Sequence, residues 1–193
     1  MSEIRLQWMT LAMTLLLGAA CGAGPVPCVD DNNKRMDKEG NLQKCKLSKV
    51  HSISGYPCDE GKVAQVNKDG SLKSCYMSEK RDIDGLSCKD GVDLYEGGKL
   101  RRCKLEGDKK VQDIQTKKGD WITLTKTGKL ERLEIYDAGR DLQGYSCKGG
   151  WNYFHENGKL KQCQLSSEKK VGGKTYAAGD KVCFNEKGKV KGC

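Results

Sequence analysis

Residues 151–165, Trp-Asn-Tyr-Phe-His-Glu-Asn-Gly-Lys-Leu-Lys-Gln-Cys-Gln-Leu, read as one β-hairpin: two short runs of β-forming residues joined through Glu156-Asn157-Gly158. Lys68-Asp69-Gly70 and Glu186-Lys187-Gly188 have the same form. Each suits a type I turn whose next residue takes positive φ and closes the hairpin with a bulge, a conformation glycine reaches without steric cost. Gly158 belongs to a series, Gly40, Gly70, Gly98, Gly128, Gly158 and Gly188, with spacings of 30, 28, 30, 30 and 30 residues. The chain is therefore a repeat array.

Aligning the six glycines defines the unit. Two residues after each stands Leu42, Leu72, Leu100, Leu130, Leu160 or Val190, and five after stands Cys45, Cys75, Cys103, Leu133, Cys163 or Cys193. Seven after comes Leu47, Met77, Leu105, Ile135 or Leu165, and four before comes Met36, Val66, Leu94, Leu124, Phe154 or Phe184. These columns are the expected apolar positions. Between hairpins recurs a second phrase, Ile53-Ser54-Gly55, Ile83-Asp84-Gly85 and Leu142-Gln143-Gly144, with Val171-Gly172-Gly173 as a looser copy. It reads as a short edge strand or bend. No helical period is sustained after the N-terminal segment. The fold expected over residues 28–193 is all-β, an elongated antiparallel sheet or solenoid-like array of six hairpin repeats.

Cysteine placement predicts how the array is stapled. Within repeats the candidate pairs are Cys28–Cys45, Cys58–Cys75, Cys88–Cys103 and Cys147–Cys163; across junctions they would be Cys45–Cys58 and Cys75–Cys88. The fourth repeat lacks both members, with Thr116 near the first position and Leu133 at the second. Joint loss fits partners of one bond, whereas junction pairing strands Cys103. Cys183–Cys193 is the pair that remains. The unbridged fourth repeat carries Trp121, Ile122, Leu124, Leu130, Leu133 and Ile135, so packing is expected to stand in for its missing bond.

Composition agrees with a turn-rich chain that has little core. Of 193 residues 24 are Gly and only 2 are Phe, the hydrophobic share is 36% and the charged share 32%. Residues 1–20 read as a signal peptide, because the apolar run from Leu6 to Ala20 is too short to span a bilayer. Ten cysteines in the body of an exported chain imply disulfides in an oxidising compartment.

Gly18-Ala19-Ala20-Cys21 resembles a bacterial lipoprotein signal. The resemblance implies cleavage before Cys21, lipidation of its thiol, a tether over residues 21–27 and a membrane-anchored cell-envelope address. Hairpins closing in Asn/Asp-Gly-Lys-Leu, as at 157–160, resemble the MORN repeat, whose hairpins stack into a single-layer twisted sheet. The resemblance implies a structural or interaction module. Twelve strands at ~4.8 Å each would extend about 55–60 Å.

Catalytic signatures are absent: there is no His-Glu-x-x-His, Gly-x-Ser-x-Gly, phosphate loop or dinucleotide fingerprint. No enzyme activity, cofactor or metal site is expected, and His51 and His155 read as solvated side chains. The net charge of +9 keeps sheet edges apart and attracts anionic partners, an envelope protein or an anionic polysaccharide rather than nucleic acid. The candidate contact residues are Trp121, Tyr145, Trp151 and Tyr153. They offer an aromatic face in repeats four and five, on which a carbohydrate-binding or enzymatic envelope protein is the alternative reading.

Overall fold

The computed structural model describes residues 25–29, 33–137 and 139–193; the signal segment and Cys21 lie outside them. Six main hairpins follow one another in chain order. Their strands are Arg35–Met36 with Leu42–Lys46, Val63–Val66 with Leu72–Ile83, and Leu86–Leu94 with Leu100–Leu105, then Trp121–Leu124 with Leu130–Ile135, Gly150–Phe154 with Leu160–Gln164, and Lys181–Phe184 with Val190–Lys191. Each strand pairs antiparallel with the next, within and between hairpins, so the twelve form one meander. No helix occurs among the described residues.

The turns form as their chemistry dictates. Gly40, Gly70, Gly98, Gly128, Gly158 and Gly188 all have φ between 77° and 85°. At the 151–165 hairpin the Gly158 N–H donates to the His155 carbonyl at 2.8 Å, and the His155 N–H to the Lys159 carbonyl at 2.9 Å. The same two bonds close the other five hairpins, each with a glycine bulge after the turn; the Tyr95–Gly98 turn differs in having positive φ at Gly97 as well, as a type II turn requires.

Strand alternation sends the apolar columns to one face. Across it run Cys75, Val92, Cys103, Ile122, Leu133 and Asn152 in register, flanked by Cys45 with Ala64 and by Cys163 with Val182, and all ten are buried. Leu47, Met77, Leu105, Ile135 and Leu165 form a second buried row. Met36 departs from its column at 46% exposed, and no small covering hairpin precedes it among the described residues.

That covering is where structure and sequence reading differ. The phrases read as bends are small two-stranded hairpins. Four have three-residue strands: Lys109–Val111 with Ile114–Thr116, Arg140–Leu142 with Tyr145–Cys147 and Lys169–Val171 with Lys174–Tyr176 stand as separate pairs, while His51–Ile53 with Tyr56–Cys58 also joins the main sheet where Cys58 pairs with Met77. The remaining one, second in chain order, is the far end of two long strands, pairing Arg81 with Cys88 and Ile83 with Leu86. Both tip residues of each have positive φ (Ser54-Gly55, Asp84-Gly85, Gln112-Asp113, Gln143-Gly144, Gly172-Gly173), as a type I′ turn requires. Ile53, Ile83, Leu86, Ile114 and Leu142 are buried within the common core, so these hairpins form a second layer over the apolar face. The array is thus thicker than the single-layer sheet implied by the MORN resemblance.

Four of the five tips lock onto the next main hairpin. Ser54 Oγ accepts from the Leu72 N–H at 3.0 Å, Asp84 Oδ2 from Leu100 at 2.8 Å, Gln143 Oε1 from Leu160 at 2.8 Å, and Gln112 Oε1 from Leu130. Gly172 holds the fifth tip and has no side chain to offer Val190. Gly172→Asn keeps a residue tolerant of positive φ and supplies the acceptor. It should stabilise by about 1–2 kcal/mol, through reduced chain entropy and one hydrogen bond. An unchanged thermal melt would show that this cap contributes nothing.

The five disulfides follow the predicted pairing: Cys28–Cys45, Cys58–Cys75, Cys88–Cys103, Cys147–Cys163 and Cys183–Cys193. The second, third and fourth each tie a small hairpin to the main sheet beneath it. In the fourth repeat Thr116 and Leu133 occupy the equivalent positions, both fully buried, and the Thr116 hydroxyl donates to the Lys109 carbonyl at 2.7 Å. Ile122, Leu124, Leu130 and Ile135 share that core. Trp121 does not, because strand alternation puts it on the opposite face. It is no substitute for the bridge.

Candidate functional site

The face left uncovered by the small hairpins carries a polar and aromatic strip. One row reads in register Ser74, Asp93, Arg102, Thr123, Arg132, Tyr153 and Gln162. Beside it lie Tyr76 opposite Gly91, then Lys104, Trp121, Glu134 and Trp151 in register. Trp121 and Trp151 both stand seven residues before a turn glycine, and Arg102 and Arg132 both stand four after one. The repeat therefore alternates indole and guanidinium across adjacent strands.

These groups stack. The Arg102 guanidinium carbon lies 4.4 Å from the Trp121 ring centroid and 5.4 Å from that of Trp151, and Arg132 lies 5.4 Å from Trp151. Such contacts are worth about 0.5–2 kcal/mol each as solvent is excluded. The Nε atoms of both arginines, and Oγ1 of Thr123 between them, are buried without a hydrogen-bond partner. Among the described residues neither arginine has an ion-pair partner. Two stacked cations therefore stand on the open face with no ion-pair partner.

Glycine at 91 lets the strip close. A Cβ there would collide with Cη2 of the Trp121 indole, which lies across that backbone. Gly91→Ala should push the ring outward, red-shifting tryptophan emission and costing about 1–3 kcal/mol. Unchanged emission would contradict this seating of Trp121.

Next to the stack is a shallow hollow of about 210 Å³, bounded by Tyr76, Gly91 and Trp121, with Gln65, Ser74, Asp93 and Arg102 also lining it. Tyr76 is 49% exposed. Burial pushes the Asp93 carboxyl above its usual range, against the opposing pull of Arg102, Arg101 and Lys73.

The predicted contact residues separate. Trp121, Trp151 and Tyr153 share the open face. Tyr145 lies in the small-hairpin layer, its ring centroid 4.5 Å from that of Phe184, and Phe154 is buried in the core. The histidines are half-buried rather than fully solvated: His155 Nε2 lies 2.9 Å from the Phe184 carbonyl, joining repeats five and six, and His51 Nε2 is buried without a partner. Tyr95 makes the corresponding link one hairpin pair earlier, its hydroxyl donating to the Leu124 carbonyl at 2.9 Å. Among the described residues no cluster of three His, Cys, Asp or Glu side chains is arranged to hold a metal ion.

Sequence reading missed Tyr76, Gly91, Asp93, Arg102 and Arg132. The signal was present: combining the 30-residue register with period-two alternation places all five on the face of Trp121 and Trp151. Comparison of the chain with protein-family models, with curated proteins and with solved structures found no match.

Proposed function

We propose that this chain is an exported, lipid-anchored protein of the bacterial cell envelope, with Cys21 as the lipidated residue, and that it acts as an interaction module through the open face of its sheet. The observation that carries the reading is the pair of stacked arginines that make no ion pair among the described residues. Trp, Tyr and Arg are the residues in which binding energy concentrates at interfaces. Here they are gathered on one face while the other is covered and bridged. The bridges fit an oxidising compartment, and the basic surface suits the anionic surroundings of an envelope.

Mass spectrometry of the mature N-terminus tests the address. The expected species begins at a lipidated Cys21; an unlipidated Cys21, or cleavage elsewhere, contradicts it. Retention of envelope material by the immobilised protein tests the face. Arg102→Ala with Arg132→Ala should abolish specific retention while the melt stays cooperative, and equal retention by the double variant would rule out this surface.

A further inference from the structure

The open face combines two features that together define a ligand. Arg102 and Arg132 flank Thr123 in register, so their Cα atoms stand two strand spacings apart, about 10 Å, and both guanidiniums pack against Trp151. The hollow beside Arg102 is lined by two aromatic side chains, Tyr76 and Trp121, and by hydroxyl, amide and carboxylate groups from Ser74, Gln65 and Asp93. Asp93 makes no ion pair with the arginine beside it. Cationic and acceptor positions therefore adjoin along the strip.

We propose that this hollow is a sugar subsite, and that Arg102 and Arg132 take the carboxylates of an acidic polysaccharide whose charged and neutral sugars alternate. The proposal rests on the interaction-module reading and names its ligand. A sugar ring sits between Tyr76 and Trp121 with its C–H face toward an aromatic ring, and its hydroxyls donate to Asp93 and pair with Gln65 and Ser74. Neighbouring uronate carboxylates accept from the N–H groups of the stacked arginines. Stacking holds each guanidinium in place, so little side-chain entropy is lost when the anion binds.

An acidic peptide fits less well. Asp93 repels a continuous run of carboxylates but accepts from hydroxyl groups. The strands that carry the strip are each paired on both sides, so no free edge is available there for an added peptide strand.

The test is calorimetric titration of the full-length oxidised protein with a panel of uronate-bearing oligosaccharides, the same oligosaccharides with carboxyls reduced to alcohols, and hexaglutamate. At least one uronate oligosaccharide should bind, with affinity falling about tenfold or more on carboxyl reduction and on either Tyr76→Ala or Arg132→Ala. Tyr76 is half-exposed, so its removal leaves the fold intact and keeps the test decisive if an arginine variant misfolds. Hexaglutamate should not bind. Failure of every uronate oligosaccharide, binding of hexaglutamate at equal strength, or full affinity in Tyr76→Ala would overturn the proposal. If envelope retention still depends on Arg102 and Arg132 when the panel fails, the interaction-module reading stands and only the ligand is wrong.

Discussion

Reduction in excess dithiothreitol is expected to abolish the cooperative melt of this protein near physiological temperature. A bridge closing a loop of about 15 residues stabilises by ~3 kcal/mol in the chain-entropy model. The loops here are 17, 17, 15, 16 and 10 residues. Domains of ordinary stability have only about 5–15 kcal/mol to lose. The bridged small hairpins at 51–58 and 140–147 have three-residue strands, too short to persist alone, so losing their bridges also frees the cover of the apolar face. Removing one bridge, as Cys88→Ala with Cys103→Ala, should lower the melt by roughly 6–12 °C. Cys88→Thr with Cys103→Leu transplants the side chains of the fourth repeat and should recover part of that loss. An unchanged melt under reduction would overturn this account of stability.

The second large effect is expected at Arg140. It is 9% exposed, and its guanidinium grips both carboxylate oxygens of Asp120, itself 2% exposed, while a third bond of 2.7 Å reaches Asp137. Asp120 also accepts the Lys117 N–H at 2.8 Å, so the pair ties the turn after the third small hairpin to the start of the fourth. Arg140→Ala leaves the Asp120 carboxylate buried without its cation, a change that costs about 3–5 kcal/mol. Asp120→Asn in the same chain should recover part of it, because a neutral amide is cheaper to bury alone. The pH dependence has a defined sign. Hydrogen bonds from Arg140 and then Lys117 hold the Asp137 carboxyl below its usual range. Its contribution is therefore complete above the unfolded carboxyl value, near pH 4, and is lost as pH falls through the lower folded value. Chemical denaturation from pH 6 down to pH 2 should show this loss in the wild type and less of it in Arg140→Ala. Parallel curves would exclude the triad as its source.

Legibility in the sequence followed the range of the interactions. The Gly158 turn is local: three residues and one positive φ decide it, and the 30-residue period repeats the information six times. Disulfide pairing was readable because Thr116 and Leu133 replace both cysteines of one bridge at once. The small hairpins were less legible. Asp84-Gly85 and Gly172-Gly173 carry type I′ signals, but Gln112-Asp113 does not, and three-residue strands are too short to show alternation. Tyr145 and Trp151 stand only six residues apart in sequence, which suggests one shared face. The chain reverses between them, from a small hairpin into the main sheet, and faces are assigned independently in the two layers. Arg102 and Arg132 were hidden for a different reason: a basic residue in a chain of net charge +9 is unremarked until its neighbours across the strands are known.

The most direct test of the central claim, that the open face is the contact surface, is to map amide and indole NMR shifts of the oxidised protein on addition of solubilised envelope material. The changes should concentrate at Tyr76, Asp93, Arg102, Trp121, Arg132 and Trp151. Changes centred instead on the small-hairpin layer, at Gln112, Gln143 and Tyr145, would contradict it.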